Sequence, residues 1–79
     1  MSATVIPMEN PEEDLNETDE GILDLLSEGR ETTGSMAEQL GKHPNYVRER
    51  LKWLRIHGLV KYHHEPTALH ELVEDPRTR

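Results

Sequence analysis

Seventy-nine residues with no cysteine and a net charge of −7 allow one small domain and exclude a disulfide framework, a thiolate zinc site and a cysteine nucleophile. The core must therefore form by packing alone or with a second chain, and a homodimer is the expected remedy for so small a domain. No apolar run reaches the length of a signal h-region or a membrane span, so a soluble cytoplasmic protein with no membrane partner is expected.

The charge is unevenly spread. Residues 1–31 carry ten Asp and Glu against Arg30 alone, whereas residues 32–64 carry Lys42, Arg48, Arg50, Lys52, Arg55 and Lys61 against Glu38 and Glu49. A basic module flanked by acid keeps a nucleic-acid partner open despite the acidic total.

Residues 1–16 hold Pro7, Pro11 and a carboxylate cluster with only scattered apolar side chains, too few to offset the entropy of ordering them. They are expected to form a disordered acidic tail, with a short strand over 4–6 as the alternative. A domain over 17–74 and a C-terminal tail over 75–79 are expected to follow. A helix is predicted over 19–28: Asn16 or Thr18 can cap it, Asp19 and Glu20 suit its positive end, Gly29 stops it, and Ile22, Leu25 and Leu26 face inward. Residues 30–33 suffice for one edge-strand pairing before Gly34.

Ser35 and Glu38 have the S-x-x-E spacing of a capping box, so a second helix is predicted from Ser35 to about Leu40, with Met36, Ala37 and Leu40 inward. A turn containing Gly41 leads to a third helix over 44–57, which Pro44 opens and Gly58 closes. Val47, Leu51 and Leu54 fall at i, i+4 and i+7 on its inner face, while Asn45, Arg48, Glu49, Lys52 and Arg55 project elsewhere. Tyr46, Trp53 and His57 form a stripe about a quarter turn from Val47, expected to pack on the first helix or on a partner chain, with base stacking by Trp53 as an alternative. Ile56, nearly opposite the core stripe, caps a wet face or joins a subunit interface. Leu59 to His64 reads as a strand, and Glu65 to Ala68 as a turn with proline second. Residues 68–73 read as the returning strand of a hairpin, although Leu69, Leu72 and Val73 also suit a helical turn.

Short helix, glycine-containing turn, longer helix and hairpin is the order of a helix-turn-helix followed by a wing. The expected fold is mainly α with a small β-hairpin (α+β): three helices and a two- to three-stranded wing. A helix-turn-helix presents the N-terminal part of its second helix to the major groove, and here that part carries Asn45, Tyr46, Arg48, Glu49 and Lys52. Asn can pair with adenine and Arg with guanine, Glu can accept from cytosine, and Lys answers phosphate. Ser35, Lys42 and His43 before that helix, and Lys61, His63 and His64 on the wing, complete the candidate contacts to double-stranded DNA. A solvated charged face on an ordinary three-helix bundle would use the same residue types.

The stretch TTGSMAEQLGKHPNYVRERLKWLRIHGLV resembles the winged helix-turn-helix of small prokaryotic transcription regulators of the MarR/ArsR type, short haloarchaeal ones in particular. Ser35, Ala37, Glu38, Leu40, Gly41, Tyr46, Val47, Leu51, Leu54, Gly58, Leu59 and Val60 carry the likeness. The resemblance implies a DNA-binding fold; a winged-helix protein-interaction module without DNA binding is the competing reading. The acidic head, the very short wing and the absence of a long helix after it depart from the family's pattern. No phosphate-binding glycine loop or nucleophile elbow is present, and neither catalysis nor a cofactor is expected. His63 and His64 are adjacent and would point to opposite faces of a strand, although His64 and His70 could meet across the hairpin. Abundant carboxylate, scarce lysine and no phenylalanine match a halophile's cytoplasmic protein, with an acidic mesophilic one as the alternative.

Overall fold

The computed structural model describes residues 15–78. The first helix, α1 (Glu17–Glu28), opens on Asn16, whose Oδ1 accepts from the Asp19 N–H at 2.8 Å while the Asp19 carboxylate accepts from the Asn16 N–H at 3.0 Å. This reciprocal box satisfies donors that no helical carbonyl can reach, and it starts the helix two residues before the expected position. The buried face holds Ile22, Leu23 and Leu26, with Leu25 displaced to the core margin, because that face centres on the side shared by Leu26 and Asp19. Gly21 costs about 1 kcal/mol relative to Ala in a helix interior. It lies where α1 packs on the next helix, and an added Cβ would stand 2.6 Å from Leu40 Cδ2, so the Leu40 side chain would have to shift to admit it.

A two-residue strand, β1 (Glu31–Thr32), leads straight into α2 (Thr33–Leu40). Its cap is Thr32, whose hydroxyl accepts from the Ser35 N–H at 3.1 Å, and not Ser35 as the S-x-x-E spacing suggested. Thr32 is held extended by its pairing with Leu69 in the sheet, which places its side chain over the first free donors of α2. Met36 and Ala37 are buried. At the far end Gly41, at φ 67°, gives its N–H to Glu38 O at 3.3 Å, and Lys42 gives its own to Ala37 O at 3.0 Å. This pair of bonds reverses the chain in one residue.

The third helix, α3 (Pro44–Ile56), begins after His43, whose Nδ1 accepts from the Asn45 N–H at 3.0 Å. Val47, Leu51 and Leu54 are fully buried, as their spacing requires. His57 is its C-cap, and Gly58 (φ 74°) closes it with the same pair of bonds as Gly41, Gly58 N to Arg55 O and Leu59 N to Leu54 O, both 3.0 Å.

Strands β2 (Val60–His64) and β3 (Leu69–Leu72) are joined by a 3-10 turn over Glu65–Thr67 and by Ala68 in the left-handed region. The segment after the turn is a strand, and pairing on both sides explains why: the sheet order is β1-β3-β2, all antiparallel, with β3 in the middle. His70 stands opposite Tyr62 and His64 opposite Leu69, so the two histidines do not meet.

The C-terminal residues depart from expectation. Residues 75–78, predicted as tail, fold back on α1: Pro76 is buried, and Arg77 reaches Asp24 at 2.9 Å, Asp75 at 2.8 Å and the Glu20 carbonyl at 3.3 Å. The predicted N-terminal tail lies, through residue 14, outside the described residues, while Leu15 packs at the margin of the core. One cluster of ten buried apolar residues joins all three helices to Leu59 and Val60. Among the described residues no helix is long and apolar enough to cross a membrane.

Candidate nucleic-acid interface

The interface follows from the helical period of α3. With Val47, Leu51 and Leu54 buried, Asn45, Arg48, Glu49 and Lys52 stand together on the opposite side, and all four are exposed. Arg48 donates through Nη1 to Asn45 Oδ1, so the two side chains are oriented as a unit. Lys42 and His43 are exposed in the turn that precedes them. Ile56 lies on the same outward side and is 69% exposed.

Other candidates are engaged inside the domain. The Ser35 hydroxyl donates to Glu31 Oε1 at 2.8 Å and accepts from Gln39 Nε2 at 3.0 Å, within and just before the first turns of α2. Tyr46 is 43% exposed, and its Oη accepts from Asn16 Nδ2 at 3.0 Å. On the wing, Lys61 and His63 both lie against Glu71, at 3.4 and 3.6 Å, and His64 Nδ1 contacts Thr67 Oγ1 at 2.9 Å.

Two polar clamps that spacing did not reveal hold α3 in place. Arg50 donates to both oxygens of Asp19, from Nε at 2.8 Å and from Nη2 at 2.6 Å, and the Asp19 side chain is wholly buried. The hydrogen bond to Asp19 raises the Arg50 pKa further above its ordinary value. The guanidinium also lies 4.9 Å from the centroid of the Trp53 ring, which in turn packs at a tilt against His57, with the ring centroids 4.4 Å apart. Tyr46 thus meets the N-terminal end of α1 at Asn16, and Trp53 meets the Asp19–Arg50 pair, while His57 lies against Trp53.

The second clamp corrects the placement of Arg55, expected to project outward. Its Nη1 donates to His70 Nε2 at 2.8 Å and its guanidinium covers the Tyr62 ring at 4.3 Å. Because arginine only donates, His70 Nε2 accepts; His70 Nδ1 then carries the proton, donated to the Ala68 carbonyl at 2.8 Å. Burial holds the His70 pKa below the ordinary histidine value, and the neighbouring Arg55 charge acts in the same direction against the Ala68 bond.

The surface so built is a short polar face on a helix seated in the core, followed by a wing on which Lys61, His63 and His64 are exposed. A family model described as "Bacterial regulatory protein, arsR family" matches residues 20–62, from within α1 to the middle of β2. No curated protein and no solved structure matches the chain.

Proposed function

The chain belongs to the arsR family of bacterial regulatory proteins, and on that footing we propose that it is a DNA-binding transcription regulator whose α3 enters the major groove of a specific site. One observation supports this reading above others: Asn45, Arg48, Glu49 and Lys52 are exposed side by side while the opposite face of α3 is locked in the core. In that pose Asn45, Arg48 and Glu49 read base edges, with Lys52 near phosphate. Ser35, Lys42, His43 and Tyr46 lie toward the backbone around the start of α3, and Lys61, His63 and His64 bring the wing to phosphate. The protein acts as a homodimer on half-sites about one DNA turn, roughly 34 Å, apart.

The test is a footprint on selected genomic fragments. Asn45→Ala and Arg48→Ala should each weaken specific binding by about 1–3 kcal/mol, roughly 5- to 150-fold, with the melting temperature unchanged. A footprint identical to wild type in both variants refutes the base-reading role of α3. Absence of any duplex binding by the wild type points to a protein-interaction module instead.

A further inference from the structure

The outer face of the sheet holds a cluster that base reading by α3 does not use. Lys61 pairs with Glu71 in register, and strand alternation puts Lys61, His63 and Glu71 on the side away from Tyr62 and His70. Arg30, in the link before β1, donates from Nε to Glu71 Oε1 at 3.1 Å, Lys61 Nζ lies 3.4 Å from Oε2, and His63 Nδ1 lies 3.6 Å from Oε1. Three basic side chains from two stretches of the chain, Arg30 before β1 and Lys61 and His63 on β2, converge on one carboxylate. They are 55%, 63% and 41% exposed, whereas Glu71 is 23% exposed, so the acid sits under donors that face solvent.

Two permanent cations and a histidine facing one anion leave a patch that is net basic but partly neutralised. The Arg30 hydrogen bond and then Lys61 hold the Glu71 pKa below its ordinary value, against a smaller opposing effect of burial. Arginine and lysine recognise carboxylate and phosphate with the same donors, so the cations that now face the carboxylate can engage a phosphate instead.

Resting on the DNA-binding reading above, we propose that Glu71 is an internal phosphate mimic. It gathers Arg30, Lys61 and His63 into a backbone-docking patch on the wing, and it competes with DNA phosphate for them. Arg30 thereby joins the wing contacts, and Glu71 sets how strongly the wing adds to affinity.

Replacing Glu71 by Gln keeps the shape and one acceptor but removes the competing charge, which frees about one phosphate contact. Each such contact steepens the dependence of log K on log salt by about 0.9, which amounts to about 8-fold in affinity at 0.1 M salt relative to 1 M. Wild type, Glu71→Gln and Glu71→Gln/Arg30→Gln are titrated by fluorescence anisotropy against a mixed-sequence duplex and against polyphosphate, from about 0.1 to 0.4 M salt. Melting curves accompany each protein.

The Glu71→Gln protein should bind the duplex about 8-fold more tightly at the lowest salt, with the steeper slope, and should gain on polyphosphate in the same direction, and Arg30→Gln should cancel both gains. If wild type binds the duplex and a folded Glu71→Gln protein gains nothing, the mimic is overturned while the DNA reading stands. If wild type misses the duplex yet Glu71→Gln gains on polyphosphate, the competition stands and DNA is not its polyanion. No gain on either ligand, with no duplex binding, overturns both. Should Glu71→Gln melt below the assay temperature, Arg30→Gln alone decides: exposed Arg30 can be removed without unfolding, and the loss should be about 8-fold with a slope shallower by about 0.9.

Discussion

Arg50→Met tests the claim that a buried ion pair seats α3. The substitution keeps most of the apolar stem and removes the guanidinium, leaving the wholly buried Asp19 carboxylate with its bond to the Asn16 N–H and no countercharge. Breaking a buried pair from one side costs about 3–5 kcal/mol. Because the Arg50 side chain is 21% exposed, water can enter where it lay, which sets the expectation at the lower end, about 3 kcal/mol. A domain of this size shifts its melting temperature by about 4–8 °C per kcal/mol, so a fall of roughly 12–24 °C is expected. The total stability of such a domain is of the order of 3–10 kcal/mol, and the variant would sit near the edge of folding. Circular dichroism melts with urea titrations measure the loss. The double variant Asp19→Asn/Arg50→Met, in which no charge is stranded and the amide can still cap α1, should recover more than half of it. A loss under about 1 kcal/mol for Arg50→Met, or no recovery in the double variant, would refute the reasoning.

The His70 clamp predicts a pH dependence of stability. Its folded pKa lies below the ordinary value of 6.5, so the folded state binds fewer protons there than the unfolded chain. Its contribution is therefore complete above about pH 6.5 and declines as pH falls below that value. The melting temperature should drop between pH 7.5 and about 5.5, above the range where carboxylates titrate, and His70→Gln should flatten the drop; an equal slope in both proteins removes His70 as the cause. Ala68 occupies the left-handed region at φ 55°, which costs a residue with a Cβ about 1–2 kcal/mol. Less the larger unfolded entropy of glycine, Ala68→Gly should stabilise by about 0.5–1 kcal/mol in the same melts, and a net loss would show that the turn is not strained.

The parts of the fold legible in the sequence are those written in local spacing. Val47, Leu51 and Leu54 gave the inner face of α3, Gly41 and Gly58 the helix ends, and Pro66 the hairpin turn. What spacing could not carry was set by partners far along the chain. Thr32 is the cap of α2 because Leu69 holds it extended, and the capping-box pattern at Ser35 had no access to that pairing. Asp19 reads as a favourable charge on a first turn, and its burial depends on Arg50, 31 residues away. His70 reads as a wing histidine, and its burial depends on Arg55. Residues 75–78 looked like tail because Arg77 finds Asp24 and the Glu20 carbonyl only once α1 is in place.

The same two clamps change what the charge pattern means. Counting along the chain credits residues 32–64 with six Lys and Arg, and that excess was the sequence's argument for a polyanionic partner. Arg50 and Arg55 turn inward, one to Asp19 and one to His70, and Lys61 lies against Glu71. Lys42, Arg48 and Lys52 remain as outward cations of the helix-turn-helix, with Glu49 beside them. A surface with so few uncommitted cations gains little affinity from counterion release, which scales with the phosphates it neutralises. On the proposed reading, discrimination then falls on directional contacts, and those need a helix that cannot rock. The two arginines withdrawn from the interface supply that restraint, Arg50 tying α3 to α1 and Arg55 tying it to the wing sheet. Each is a hydrogen-bonded contact that fixes direction as well as distance, which apolar packing alone does less sharply. The basic character of α3 is therefore divided between holding the helix and presenting it.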